Sequence, residues 1–245
     1  MAKQIYPIIN NLSKQISICQ RKGDNKEAII FVHGFLSSYE STLIKTVSQD
    51  LNKKGFTTFA FDFTGCGRSD DDILSIQTMK NDLLCVYDFV KTQNYLSISI
   101  VAHSLGSLIV LLLAKNLELK NIILTAPVTQ KPHYTLEEKY TQKQVKDLQE
   151  LGIMEFEAKA RKENATFVDE EVFSFRRNIV QEELADDISC PITVIHGNND
   201  ERVPYSDSVD FQSTSGAKLI TIDGANHSFR GFLKELSAII LDTLH

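Results

Sequence analysis

Short runs rich in β-branched residues recur along this chain and alternate with segments of helical pattern, and nothing else in the sequence limits its fold so strongly. The runs are AIIFVHG (28–34), FTTFAFDF (56–63), SISIVAH (97–103), NIILTAP (121–127), ITVIHG (192–197) and KLITID (218–223). Between them, apolar residues fall at helical spacing at 76, 79, 83, 86, 87 and 90, and again at 229, 232, 233, 236 and 240. This alternation predicts an α/β fold with a mostly parallel sheet covered by amphipathic helices on both faces. IYPIIN and QISICQ, ahead of the first run, are expected as antiparallel strands at one edge.

The alternation breaks once. Residues 128–187 show helical but no strand character, and such a length is too great for an ordinary connection. The expected organisation is therefore a core of residues 1–127 and 188–245 with a helical lid, 128–187, inserted before the late strands. YTLEEKYTQKQVKDLQELG and VDEEVFSFRRNIV supply its apolar stripes, and inserted segments on such scaffolds often carry function.

With 245 residues and a net charge of −6, the chain has core enough for one domain and no basic stripe for nucleic acid or an anionic membrane surface. A small-molecule partner is expected, without stable membrane association and with a homodimer left open. Cys19, Cys66, Cys85 and Cys190 are widely spaced, which suggests reduced thiols in a cytoplasm rather than a disulfide framework or a zinc site. The N-terminal MAKQIYPIINNLSKQ lacks the apolar core of a signal peptide. No metal or cofactor is expected.

VAHSLGS (101–107) places Ser104 at a strand-to-helix junction, flanked at two residues' distance by Ala102 and Gly106. Small residues there allow a sharp strained turn that lifts the hydroxyl above the sheet edge, although a serine at such a boundary is also a common helix N-cap. A serine nucleophile needs a base, and the base an orienting carboxylate. ITVIHG runs into NNDERVP and so sets Asp200 beyond a strand end; KLITID runs into GANHSF and sets His227 in the next such loop. Asp186, Asp187, Glu201 and Asp223 lie near enough in sequence to compete with Asp200. His33 and His103 flank glycine or serine turns and read as structural. The backbone amides of Phe35, after HGF, and of Leu105, at the helix start, are candidates for an oxyanion hole.

These motifs resemble the α/β-hydrolase superfamily from about residue 27 onward: HGF (33–35), FDFTGCGRSD (61–70), AHSLG (102–106), HGNNDERVP (196–204) and GANHSF (224–229). Alanine stands at 102, where the elbow motif G-x-S-x-G has its first glycine. The resemblance is to intracellular bacterial serine esterases, notably cinnamoyl (feruloyl) esterases, and less closely to monoacylglycerol lipases and serine aminopeptidases. It implies hydrolysis of a small or aryl ester through an acyl-enzyme, with activity falling in acid as the histidine protonates. Thioester, monoacylglycerol or peptide cleavage by the same residues, and a non-catalytic ligand-binding member of the fold, are the alternatives. Substrate-binding candidates in the insertion are Tyr134, Tyr140, Phe156 and Phe173, with Phe167 and Phe175 as further aromatic surface, and Arg68 in TGCGRS is a possible rim residue.

Overall fold

A computed structural model describes residues 3–158 and 164–244. Strands β1 (Lys3–Ile9), β2 (Gln15–Arg21) and β3 (Glu27–Val32) lead into α1 (Thr42–Lys53), β4 (Thr57–Phe61) and a two-residue β5 (Ile73–Leu74). Next come α2 (Ile76–Lys91), β6 (Ser97–His103), α3 (Leu105–Ala114) and β7 (Ile122–Thr125). The insertion holds α4 (Leu136–Lys139), α5 (Gln142–Leu151), β8 (Ile153–Glu157), β9 (Ala165–Asp169) and α6 (Glu170–Arg177). After it follow β10 (Ile192–Gly197), α7 (Tyr205–Ser215), β11 (Lys218–Ile222) and α8 (Leu233–Leu244).

The main sheet has the order β1-β2-β4-β3-β6-β7-β10-β11. β2 pairs antiparallel with both β1 and β4, and every other neighbouring pair is parallel. In β3, Ala28, Ile30 and Val32 enter one core cluster while Ile29 and Phe31 enter the other. That two-sided burial is why the central strands read as nearly unbroken apolar runs. Helices α1 and α8 cover one face with Leu43, Val47, Leu51, Leu236 and Ile240. On the opposite face α2 and α3 contribute Met79, Leu83, Val86, Leu108 and Ile109, and α7 contributes Phe211. Each such buried side chain contributes about 1.5–3 kcal/mol. The Ser75 side chain starts α2 in a capping box with Thr78.

The insertion is not wholly helical, contrary to the expectation from its sequence. β8 and β9 pair antiparallel, and β9 pairs with β5 to form a second, three-stranded sheet. In ATFVD, Thr166 and Val168 are buried while Phe167 between them is 40% exposed. This period of two is a strand signal, but five residues of it between helical stripes are easily absorbed into the longer pattern. The stretches expected as helices do form α4, α5 and α6.

Candidate active site

Ser104 sits between β6 and α3 with φ 54° and ψ −124°, a conformation that costs a residue with a side chain about 1–3 kcal/mol. The hydroxyl makes no capping bond to α3, so the N-cap role is not taken. It lies 3.1 Å from Nε2 of His227 instead. The backbone holds the turn: Ser104 N donates to the Thr125 carbonyl at 3.0 Å, and Val128 N donates to the Ser104 carbonyl at 3.2 Å. Gly106 is required because a Cβ there would stand 2.4 Å from the His33 carbonyl oxygen, where the end of β3 presses on α3. Ala102 is fully buried in the core, so its methyl is accommodated.

Asp200 follows β10 and is saturated with donors. Oδ1 accepts from the amides of Arg202 (2.7 Å) and Val203 (3.0 Å), and Oδ2 from Nδ1 of His227 (2.8 Å) and Nε2 of His196 (3.0 Å). Burial pushes the carboxyl upward, but the hydrogen bonds from His196 and His227, with the Val203 amide, outweigh it and hold the group well below the usual carboxylate range. An ionised carboxylate only accepts, so both imidazoles donate to it. His227 therefore carries its proton on Nδ1, and the Nε2 lone pair faces Ser104. His196 is fixed from its other side, where Nδ1 accepts from Oγ of Ser208 at 2.6 Å.

The acid and histidine loops meet because residue 197 has no side chain: a Cβ there would lie 2.1 Å from the Ala225 carbonyl oxygen. Asn199 N donates to that same oxygen at 3.1 Å. The competing carboxylates are engaged elsewhere or stand apart. Asp223 accepts from the Asn198 side chain, Glu201 accepts from the backbone amide of His227 at 3.3 Å, and Asp186 and Asp187 are exposed ahead of β10.

His33 is buried and neutral, its pKa lowered to about 4 by burial. Its Nε2 accepts from Phe63 N at 3.1 Å and its Nδ1 faces the Gly34 carbonyl at 2.8 Å, which ties β3 to the loop after β4. Burial and the neighbouring His227 lower His103 to about 3, and its Nδ1 lies 3.1 Å from both oxygens of Thr125. Neither ring bonds to Ser104.

A cavity of about 800 Å³ opens over Ser104 and His227 and is lined by Phe35, Leu105, Tyr134 and Tyr140 among others. The amides of Phe35 and Leu105 donate to no protein acceptor among the described residues. Phe156 and Phe173 stand behind the wall, edge-on to Tyr140 with ring centroids at 5.7 Å in both cases. Phe156 also packs edge-on to Phe35 at 5.4 Å. Arg68 does not line this cavity; its backbone amide donates to Asp62 Oδ2 at 2.8 Å, an anchor for the glycine-rich turn. Reasoning from sequence missed His196, whose signal was its place four residues before Asp200 at a strand end. It also missed the basic residues of the cavity wall, which no spacing announces. Among the described residues, no His, Cys, Asp and Glu cluster is arranged to hold a metal ion, and no helix is long and apolar enough to cross a membrane.

Comparison with known proteins agrees with this architecture. A Mycoplasma genitalium protein named "Putative esterase/lipase 2" is 28% identical over 229 residues, 83% of each chain. Its Mycoplasma pneumoniae namesake is 33% identical over 103 residues, 41% of this chain and 38% of that protein. The match to "Probable lysophospholipase BODYGUARD 5" of Arabidopsis thaliana, at 33% identity, spans 49% of this chain and 29% of that one. Among solved structures, Est1E from Butyrivibrio proteoclasticus with ferulic acid bound superposes with a TM-score of 0.81 at 23% identity, covering 98% of this chain and 97% of that one. Mouse alpha/beta hydrolase domain-containing protein 10 gives 0.75 at 19% identity, covering 98% of both chains. The family model described as serine aminopeptidase, S33, matches residues 23–173, which include Ser104 but neither Asp200 nor His227. With that match over more than half its length and an eight-stranded sheet of this order, the chain belongs to the serine aminopeptidase S33 family of α/β-hydrolases.

Proposed function

We propose that the protein is a serine carboxylesterase acting on small or aryl esters, with Ser104 as nucleophile, His227 as general base and Asp200 as the orienting acid. The carrying observation is the continuous chain from Oδ2 of Asp200 through His227 to Oγ of Ser104, at 2.8 and 3.1 Å; an ionised Asp200 then sets the His227 proton on Nδ1, the tautomer a base requires. In this reading Nε2 takes the Ser104 proton as Oγ bonds to the acyl carbon. The oxyanion forms beside the amides of Phe35 and Leu105, the second of which opens a helix whose dipole favours negative charge. Collapse breaks the bond to the alkoxy oxygen, which leaves with the proton held on Nε2. Water then adds to the acyl-enzyme by the same route and frees the acid and Ser104.

The cavity supports an ester over a peptide with a free amino terminus. An aminopeptidase must hold the substrate's α-ammonium beside the reacting carbonyl, which calls for a free carboxylate. Among the described residues the lining contains none. Tyr134, Tyr140 and Leu105 offer the apolar surface that an aryl or short acyl group would fill. The four free cysteines fit a reducing compartment, so we assign the reaction to the cytoplasm.

A fluorophosphonate probe tests the nucleophile: the wild type is labelled at Ser104 and hydrolyses a short nitrophenyl ester, and Ser104→Ala does neither. Folded wild-type protein that is inert to both probe and ester would overturn the assignment in favour of a binding protein.

A further inference from the structure

The cavity wall carries charge of one sign. Acidic residues outnumber basic ones in the chain, 32 to 26, yet the charged lining residues besides the imidazoles are Lys139, Arg176, Arg202 and Arg230. They converge from four segments: Lys139 from α4, Arg176 from α6, Arg202 from the loop bearing Asp200, and Arg230 from the loop bearing His227. Of the four, only Arg202 pairs with a carboxylate among the described residues, Glu201 at 3.6 Å. Lys139 stands 5.3 Å over the ring of Tyr134. Arg176 donates from Nη1 to the Tyr134 hydroxyl at 3.2 Å, while its Nε is buried with no partner.

Nearby carboxylates are already committed. Asp200 serves two imidazoles, Glu201 the His227 amide and Arg202, and Asp207 lies 2.9 Å from Nε2 of His133. A guanidinium at a cavity wall with no counter-ion is unfavourable, and an anionic group in the cavity would supply one. A recess walled by one sign of charge also concentrates ligands of the other sign.

We propose that the cavity is built for an ester bearing a negatively charged group, a carboxylate or a phosphate, which Arg176 holds with Lys139, Arg202 and Arg230 around it. The reaction assigned to such a substrate rests on the esterase reading; the binding does not. Selectivity then comes from charge as well as from the aromatic wall.

Calorimetry on Ser104→Ala separates the two, using matched pairs: nitrophenyl hemisuccinate against nitrophenyl methyl succinate, and butyrylglycerol 3-phosphate against butyrylglycerol. In at least one pair the charged member binds about tenfold or more tightly, an advantage that shrinks with added salt, and the pair that responds tells carboxylate from phosphate. Adding Arg176→Gln removes most of that preference, and Arg176→Lys restores part of it. Arg230→Gln, at an exposed position, must also weaken it, which keeps the test decisive if the Arg176 variants fold poorly. Equal or tighter binding of the neutral member in both pairs, or a preference untouched by both glutamine variants, overturns the proposal. Charge-selective binding by a wild type that no fluorophosphonate labels would keep the anion site and sink the esterase reading.

Discussion

Asp200→Asn separates fold from catalysis here, because the surroundings dictate how the amide must sit. The amides of Arg202 and Val203, at 2.7 and 3.0 Å from Oδ1, can be satisfied only by the asparagine oxygen. Its NH₂ is then forced into the place of Oδ2, facing Nε2 of His196 and Nδ1 of His227, at present 3.0 and 2.8 Å away. Two donors cannot face two donors, so both rings change tautomer. For His196 the change is mild, since its Nδ1 proton can go to Ser208, now 2.6 Å away. For His227 it is ruinous, because the proton moves to Nε2 and points at Ser104. Loss of the correct tautomer by this substitution in a serine protease lowers kcat about 10⁴-fold, roughly 5.5 kcal/mol of barrier. Exchanging charge-assisted bonds for neutral ones costs only about 1–2 kcal/mol of stability. The assay is kcat/KM on a short nitrophenyl ester beside urea unfolding of the same preparation. Turnover within tenfold of wild type refutes the assignment and moves attention to Glu201, while global unfolding refutes the claim that the oxygen is pinned.

Gly106→Ala should lower stability by about 1–3 kcal/mol, because a methyl 2.4 Å from the His33 carbonyl must displace β3 or α3; it should also slow fluorophosphonate labelling, and an unchanged urea midpoint and labelling rate would contradict the packing described. His33 titrates near about 6.5 when unfolded and at about 4 when folded. Between these values the unfolded chain binds a proton the native one does not, so this contribution is complete above about pH 6.5 and falls by roughly 3 kcal/mol as pH drops to 4. Urea midpoints between pH 7 and 4.5 should therefore decline less steeply in His33→Gln, and parallel declines would refute it.

The central strands were legible because burial on both faces leaves little room for polar residues. β3, with alternate side chains in opposite cores, is the clearest case. Ser104, Asp200 and His227 could be singled out because each follows a readable strand and the sheet brings those strand ends to one edge. β8 and β9 were lost because their strands are short and lie between stronger helical stripes. Tyr134 and Tyr140 could not be told from Phe156 and Phe173 by residue type; which ring faces the cavity and which supports it is decided by packing. Lys139, Arg176, Arg202 and Arg230 were invisible as a group, since only the folded chain gathers them.

The pairing of β5 with β9 sets how the insertion is moored to the body. Ile73 and Leu74, from the body, align with Phe167 and Val168 of the insertion, and the Thr166 hydroxyl donates to the Gly65 carbonyl at 2.8 Å. That flank is stitched to its foundation by main-chain bonds, so it cannot swing outward without tearing a sheet. The parts of the insertion that line the cavity, Tyr134, Lys139 and Tyr140 at α4 and Arg176 of α6, lie outside that sheet and are held by side-chain contacts instead, Arg176 to the Tyr134 hydroxyl and Tyr140 to Phe156 and Phe173.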